Sequence, residues 1–212
     1  MQAFDRDLTY PARPDAGELS VAPSLRAVPR PSASASTATS DRAAAWGLAA
    51  TFAVFAYEWF LSGMNKLTSG GFRSGLAGQI SDAVTNNPNH WYASFLSSVV
   101  VPHAGVFAVL TEVGEIAVSL GLIAGAIRWL AMSRLSASRL RLLDLAAIGA
   151  LAGSAFMTLN YYLMSGFGIP WLHASDAFSE GLDIDGMLTI VALALLAIQI
   201  WARRSTRDAA DA

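Results

Sequence analysis

The chain has 212 residues, 54% hydrophobic and 14% charged, against roughly 45–50% and about 25% in ordinary soluble domains, which argues against a soluble globule. Lys and Arg total 14 against 16 Asp and Glu, for a formal net charge of −2; this lacks the basic excess that nucleic-acid binding draws on, and no nucleic-acid partner is expected. The absence of cysteine excludes disulfides, cysteine nucleophiles and Cys-ligated zinc or iron–sulfur centres, so any redox chemistry must come from a bound cofactor, substrate or partner.

Residues 1–42 hold five of the eight prolines and a Ser/Ala/Thr run over 32–40, a composition that reads as a disordered cytoplasmic tail. The tail has no apolar core of the kind a cleaved signal needs, so it is expected to stay on the mature protein and the first hydrophobic segment to direct insertion. Residues 43–64 are apolar apart from Glu58, and about 20 such residues cross a bilayer as a helix. Residues 102–127 form a second span carrying Glu112 and Glu115, with uncharged third and fourth spans at 145–167 and 186–202. These runs are too long and too evenly apolar for barrel strands. The expected fold is an all-α integral membrane four-helix bundle over 43–204, followed by a short cytoplasmic tail at 205–212.

Arginines set the direction. Arg42 precedes the first span, Arg128, Arg134, Arg139 and Arg141 lie between the second and third, and Arg203, Arg204 and Arg207 follow the fourth. Short cytoplasmic loops collect Lys and Arg, so both termini are expected inside. The outer connection over 68–101 is long for a bundle loop, for which about 2–8 residues is usual. Within it, 72–84 is mildly amphipathic, Asn86-Asn87-Pro88-Asn89 is a turn signal, and 91–101 is apolar with Trp91 and Tyr92 at its start. The last segment is too short to span and suits an interfacial helix leading into the second span.

An ionised Glu at the bilayer centre costs about 2.5–3.5 kcal/mol on insertion scales, so intramembrane acids face a partner, water or a site. Glu58, Ser62, Asn65 and Lys66 fall at i, i+4, i+7 and i+8, one face of a helix. Glu112 and Glu115, at i and i+3, share another. At about 1.5 Å rise per residue, Glu58, Glu112 and Asn160 lie roughly 10–15 Å below the outer ends of their spans. They are expected to converge in a polar pocket in the outer half of the bundle, with Tyr161 or Tyr162 beside them. The alternative is purely structural: one Glu pairs with Lys66 and the others are protonated and bonded to Ser62, Asn160 or a Tyr. A desolvated Glu there would exchange protons near neutrality, as quinone reduction requires. Gly114, Gly121 and Gly125 are expected to let helices approach closely. His90, His103 and His173, with Asp176, Glu180, Asp183 and Asp185, fall in the outer loops, but no paired ligand spacing supports a metal and none is expected. No P-loop, GxGxxG turn, GxSxG elbow or HExxH pair is present.

The segment YEWFLSGMNKLTSGGF, residues 57–72, resembles the Trp-x-x-x-Gly-x-x-Lys-like end of the first helix in the DoxX/DoxD superfamily of small four-helix membrane proteins. NPNHWYASFL and VVPHAGVFAVLTEVGEIAVSLGLIAGAIR, within 87–128, resemble the DoxD branch, in which a proline leads into a span with Gly-Glu, then Gly-Leu, and an Arg after the last Gly. Asn160 also fits the pattern. The resemblance covers about residues 45–200 and implies a subunit of thiosulfate:quinone oxidoreductase in the bacterial inner membrane. Such an enzyme oxidises thiosulfate to tetrathionate at the outer face and passes electrons to membrane quinone, working with a DoxA-like partner. Carried onto this chain, the implied positions are Gly63, Lys66, Gly114 and Glu115. The expected assignment has Glu58, Glu112 and Glu115 handling quinone protons, Lys66 and Arg73 drawing in the anion, and Ser62, Asn65, Asn160 and Tyr161 lining the substrate pocket. Two other functions fit the same sequence: a non-catalytic anchor or assembly subunit for a redox partner, and a small-molecule carrier acting as a homo-oligomer.

Overall fold

The apolar runs are helices, and a computed structural model describes residues 33–85, 87–167 and 183–211. In chain order these are α1 (Ala33–Thr68), α2 (Phe72–Thr85), α3 (His90–Phe95), α4 (Ala104–Ala131), α5 (Ala137–Met164) and α6 (Ile184–Asp211), with no strand among the described residues. Four helical stretches are long and apolar enough to cross a membrane: Thr39–Thr68, His90–Ala131, Ala137–Met164 and Ile184–Ser205. The protein is therefore an all-α, four-span membrane bundle in contact with lipid.

Three expected boundaries move. Helix α1 begins at Ala33, ahead of the expected start at 43, because an Ala-rich run extends an existing helix without the cost of a new nucleus. Residues 1–32 lie outside the described residues. Helix α6 likewise runs to Asp211, through the expected C-terminal tail. The segment over 91–101 is helical and leads into the second span as expected, but joins it without a break. It passes through a π turn at Leu96–Val100 and a 3-10 turn at Val101–His103 straight into α4. Pro102 occupies the first turn of that 3-10 segment, where its missing N–H removes no intrahelical bond, so the chain adjusts its winding rather than stopping. Between α1 and α2 the chain reverses at Gly70, whose φ of 64° is in the left-handed region that favours glycine.

Helix α1 packs on α4, α4 on α5 and α5 on α6, and a core of Phe52, Trp59, Leu122, Leu151, Ala192 and Leu195 runs between them. Glycines allow the close crossings expected of them. A Cβ on Gly121 would lie 2.8 Å from the Ala146 carbonyl oxygen, and one on Gly125 would enter the ring of Phe52. A second core, containing Leu76, Ile80, Tyr92, Leu96, Ala108 and Leu163, seats α2 and α3 across one end of the bundle. Large apolar side chains such as Val54, Leu120 and Phe156, 72%, 62% and 69% exposed, point outward, as lipid contact requires.

At the opposite end Arg128 is buried rather than a loop charge. Its Nε donates to Asp144 Oδ1 at 2.8 Å, Gln199 Nε2 donates to the same oxygen at 2.6 Å, and Trp129 Nε1 donates to Gln199 Oε1 at 3.1 Å. The guanidinium also lies 4.3 Å from the Trp129 ring centroid. This network ties α4, α5 and α6 together where all three converge.

Candidate functional site

The acids expected to share one layer are distributed over three settings. On α4, Glu115 is fully buried and Glu112 nearly so, and each accepts from a different cation. Lys66, in the last turn of α1, places Nζ 2.8 and 3.0 Å from the two Glu115 oxygens and 2.8 Å from Ser62 Oγ. Tyr161 Oη on α5 donates to Glu115 Oε1 at 2.7 Å. Gly63 makes this approach possible, since a Cβ there would lie 2.8 Å from Ile116 Cδ1 and 3.3 Å from Glu115 Cβ. Arg73, at the start of α2, grips Glu112 through Nε at 2.9 and 3.2 Å and through Nη2 as well. Hydrogen bonding and the adjacent negative charge raise the Arg73 pKa further above its ordinary value.

Glu58 does not join them. It is exposed on α1 and lines a groove toward α6, opposite Ile184, Leu188 and Val191. It reaches the outer layer only through a small polar chamber of about 160 Å³ that it shares with Ser62, Lys66, Thr158, Tyr161 and Asp185. Asn65, exposed on α1, is outside the cluster because the α1 face against α4 is set by Ser62, Gly63 and Lys66. Lys66 and Arg73 are not free cations awaiting an anion: each is already held by a carboxylate. The structural alternative, in which a Glu pairs with Lys66, describes Glu115.

Beside this ion-pair layer lies a cavity of about 400 Å³ between α2, α3, α4 and α5, within the range of small-molecule sites. Its walls are largely apolar, with Phe72, Leu76, Phe95, Phe107, Phe156 and Met157 contributing most of the large side chains. Its polar lining comprises Lys66, Gln79, Thr111, Asn160, Ser165 and Asp185, with the hydroxyl-bearing rings of Tyr92 and Tyr161. Tyr92 Oη donates to the Asn160 carbonyl oxygen and Oδ1, each at 3.1 Å, and Asn160 Nδ2 donates to Phe156 O at 2.7 Å. The Asn160 amide is therefore held in one orientation with an N–H to spare. Neither Glu112 nor Glu115 lines the cavity, but Lys66 and Tyr161 do, and both are bonded to Glu115.

Sequence reasoning missed two features. Asp185, read as an outer-loop acid, is in the first turn of α6 and lines both the cavity and the chamber; its position at the very edge of the fourth apolar run was the available signal. The Arg128–Asp144 pair was legible as opposite charges at the facing ends of two consecutive spans. Among the described residues no group of three or more His, Asp and Glu is placed to hold a metal ion; His173, Asp176 and Glu180 lie outside the described residues. Scans against family models, characterised proteins and solved structures give no match to this chain, so the likeness to DoxX/DoxD proteins rests on the residues quoted above.

Proposed function

We propose that this protein is the membrane subunit of a quinone-linked oxidoreductase and that the 400 Å³ cavity receives the quinone head group. The observation that carries the reading is the pairing of an aromatic and aliphatic slot with a short polar edge. A planar ring with two carbonyl oxygens needs apolar walls for its faces and a few donors for its oxygens. Asn160 supplies one donor with its spare N–H, Lys66 and Tyr161 would supply others by turning a hydrogen away from Glu115, and burial strengthens each such hydrogen bond.

Reduction of a quinone takes up two electrons and two protons. In the reaction implied by the resemblance, two thiosulfate ions release two electrons as they join into tetrathionate. Protons would reach the ring oxygens from Lys66 or Tyr161, with Glu115 behind both and Asp185 at the cavity edge. The anion half of the reaction is assigned to a partner subunit or to the outer surface, because Lys66 and Arg73 are already paired.

The test is equilibrium binding of a short-chain benzoquinone to the purified full chain in lipid nanodiscs, compared with Asn160→Ala and Tyr161→Phe. Saturable binding weakened about tenfold by either change, the value of one lost buried hydrogen bond, supports the assignment. Absence of saturable binding, or binding indifferent to both changes, overturns it. Thiosulfate-dependent quinone reduction by membranes containing the protein then tests the electron donor.

A further inference from the structure

A second cavity, a groove of about 530 Å³ between α4 and α5, opens along the outer face of the bundle. Phe107, Thr111, Phe156 and Met157 line both this groove and the quinone cavity, so the two spaces meet at a common wall. Beyond that wall the groove has no charged lining residue, and Thr111 is its sole polar side chain. Gly114, Gly149 and Gly153 keep its floor low. From Leu145 to Met157 on α5 it runs roughly 18 Å at the helical rise, parallel to the helices and within the hydrocarbon thickness of about 30 Å.

We infer that this groove seats the long apolar chain of the same ligand whose polar head occupies the cavity. The inference rests on the quinone reading above. Polarity changes from one space to the other across their shared wall as it does along such a molecule: polar groups in the cavity, then Phe107 and Phe156, then an aliphatic trough along the outer face. An ordinary acyl chain of the bilayer has the same chemistry as the proposed tail, and could lie in the trough without any relation to the cavity. Only a tail joined to the head makes events in the trough felt in the affinity for the head.

Gly149 offers the means to separate these cases. It is exposed on α5, and a Cβ built on it meets nothing within 4 Å, so Gly149→Leu fills the trough without disturbing helix packing. Gly153→Ala, whose Cβ would make only an ordinary 3.4 Å contact with Val118, is a second and milder obstruction. In nanodiscs of one lipid composition, a short-chain benzoquinone and a long-chain isoprenoid quinone are titrated against the unaltered protein and each variant. Comparing one ligand across variants in one bilayer cancels its partitioning into lipid.

The expected result is that Gly149→Leu weakens the long-chain ligand on the order of tenfold, that Gly153→Ala weakens it less, and that neither changes the affinity for the short-chain ligand. Equal affinities for the long-chain ligand with and without Gly149→Leu would mean that the trough holds only bulk lipid, and would overturn the inference while leaving the head-group assignment intact. Equal weakening of both ligands would likewise overturn it, by showing that Gly149 acts on the head cavity. If the unaltered protein binds neither ligand saturably, the quinone reading itself fails and this inference with it.

Discussion

Tyr161 on α5 and Lys66 on α1 meet on one carboxylate, the fully buried Glu115 of α4, at 2.7 and 2.8 Å. Both also line the cavity proposed for the quinone head. Three helices are thus cross-linked by one acid that no ligand need touch, while its two partners face the space a ligand would fill. This arrangement couples the cavity edge to Glu115 through two direct hydrogen-bonded contacts.

Lys66→Met leaves Glu115 buried with only the Tyr161 hydroxyl to stabilise its charge. A loss of about 3–5 kcal/mol is expected, as for other buried pairs broken from one side. Adding Glu115→Gln to Lys66→Met should recover part of it, because the orphaned charge is gone. Reversible unfolding in mixed detergent micelles measures both, and equal stability of the single and double variants would show that the pair does not couple.

At the other end, Arg128→Met should destabilise by a comparable about 3 kcal/mol, and Asp144→Asn by less, since Gln199 and Arg128 can both still bond to its amide oxygen. A cytoplasmic-loop arginine of purely topological role would change the same unfolding curve by no more than about 0.5 kcal/mol.

Gly121 lies where α4 crosses α5, with the Ala146 carbonyl and the Ala150 methyl against it. Gly121→Leu cannot be absorbed by moving a flexible side chain and should cost roughly 1–3 kcal/mol or more. Gly149→Leu, on the open face of the same helix pair, should be silent in the same measurement.

Glu58 is exposed in the α1–α6 groove, with no bonded partner among the described residues. Glu58→Gln should leave stability unchanged or slightly raised, since a carboxyl facing hydrocarbon is a cost. If Glu58 feeds protons through the polar chamber to Lys66 and Tyr161, the same change slows quinone reduction without altering quinone affinity. Unchanged turnover would confine Glu58 to a surface role.

The arginine distribution predicts cytoplasmic ends for the chain and for the α4–α5 turn. Reporter fusions at Ser136 and Gly70 should therefore report inside and outside respectively; the reverse pattern would invert the whole bundle and put the cavity proposed for the quinone on the cytoplasmic side.

Much of the architecture was legible from hydropathy. The four spans, their approximate ends and the small-residue crossings at Gly121 and Gly125 follow from segment length and side-chain size, which lipid reads locally and without reference to partners. The helix over 91–101 was legible, but the π and 3-10 turns that join it to the second span were not, because local winding around Pro102 is set by packing rather than by hydropathy. The candidate site was only half legible. Helical spacing grouped Glu58, Ser62, Asn65 and Lys66 on one face, but a face is about 100° wide, and the groups at its two edges point toward different neighbours. Which neighbour each one meets depends on how α1 rotates against α4, set by the fit of Gly63 against Ile116. The sequence by itself determined that acids lie within the membrane and need partners. Only the tertiary structure decided that Glu115 takes Lys66 and Tyr161, that Glu112 takes Arg73, and that Glu58 is left facing a groove, because pairing is a matter of distance between helices and spacing along one helix carries no information about the next.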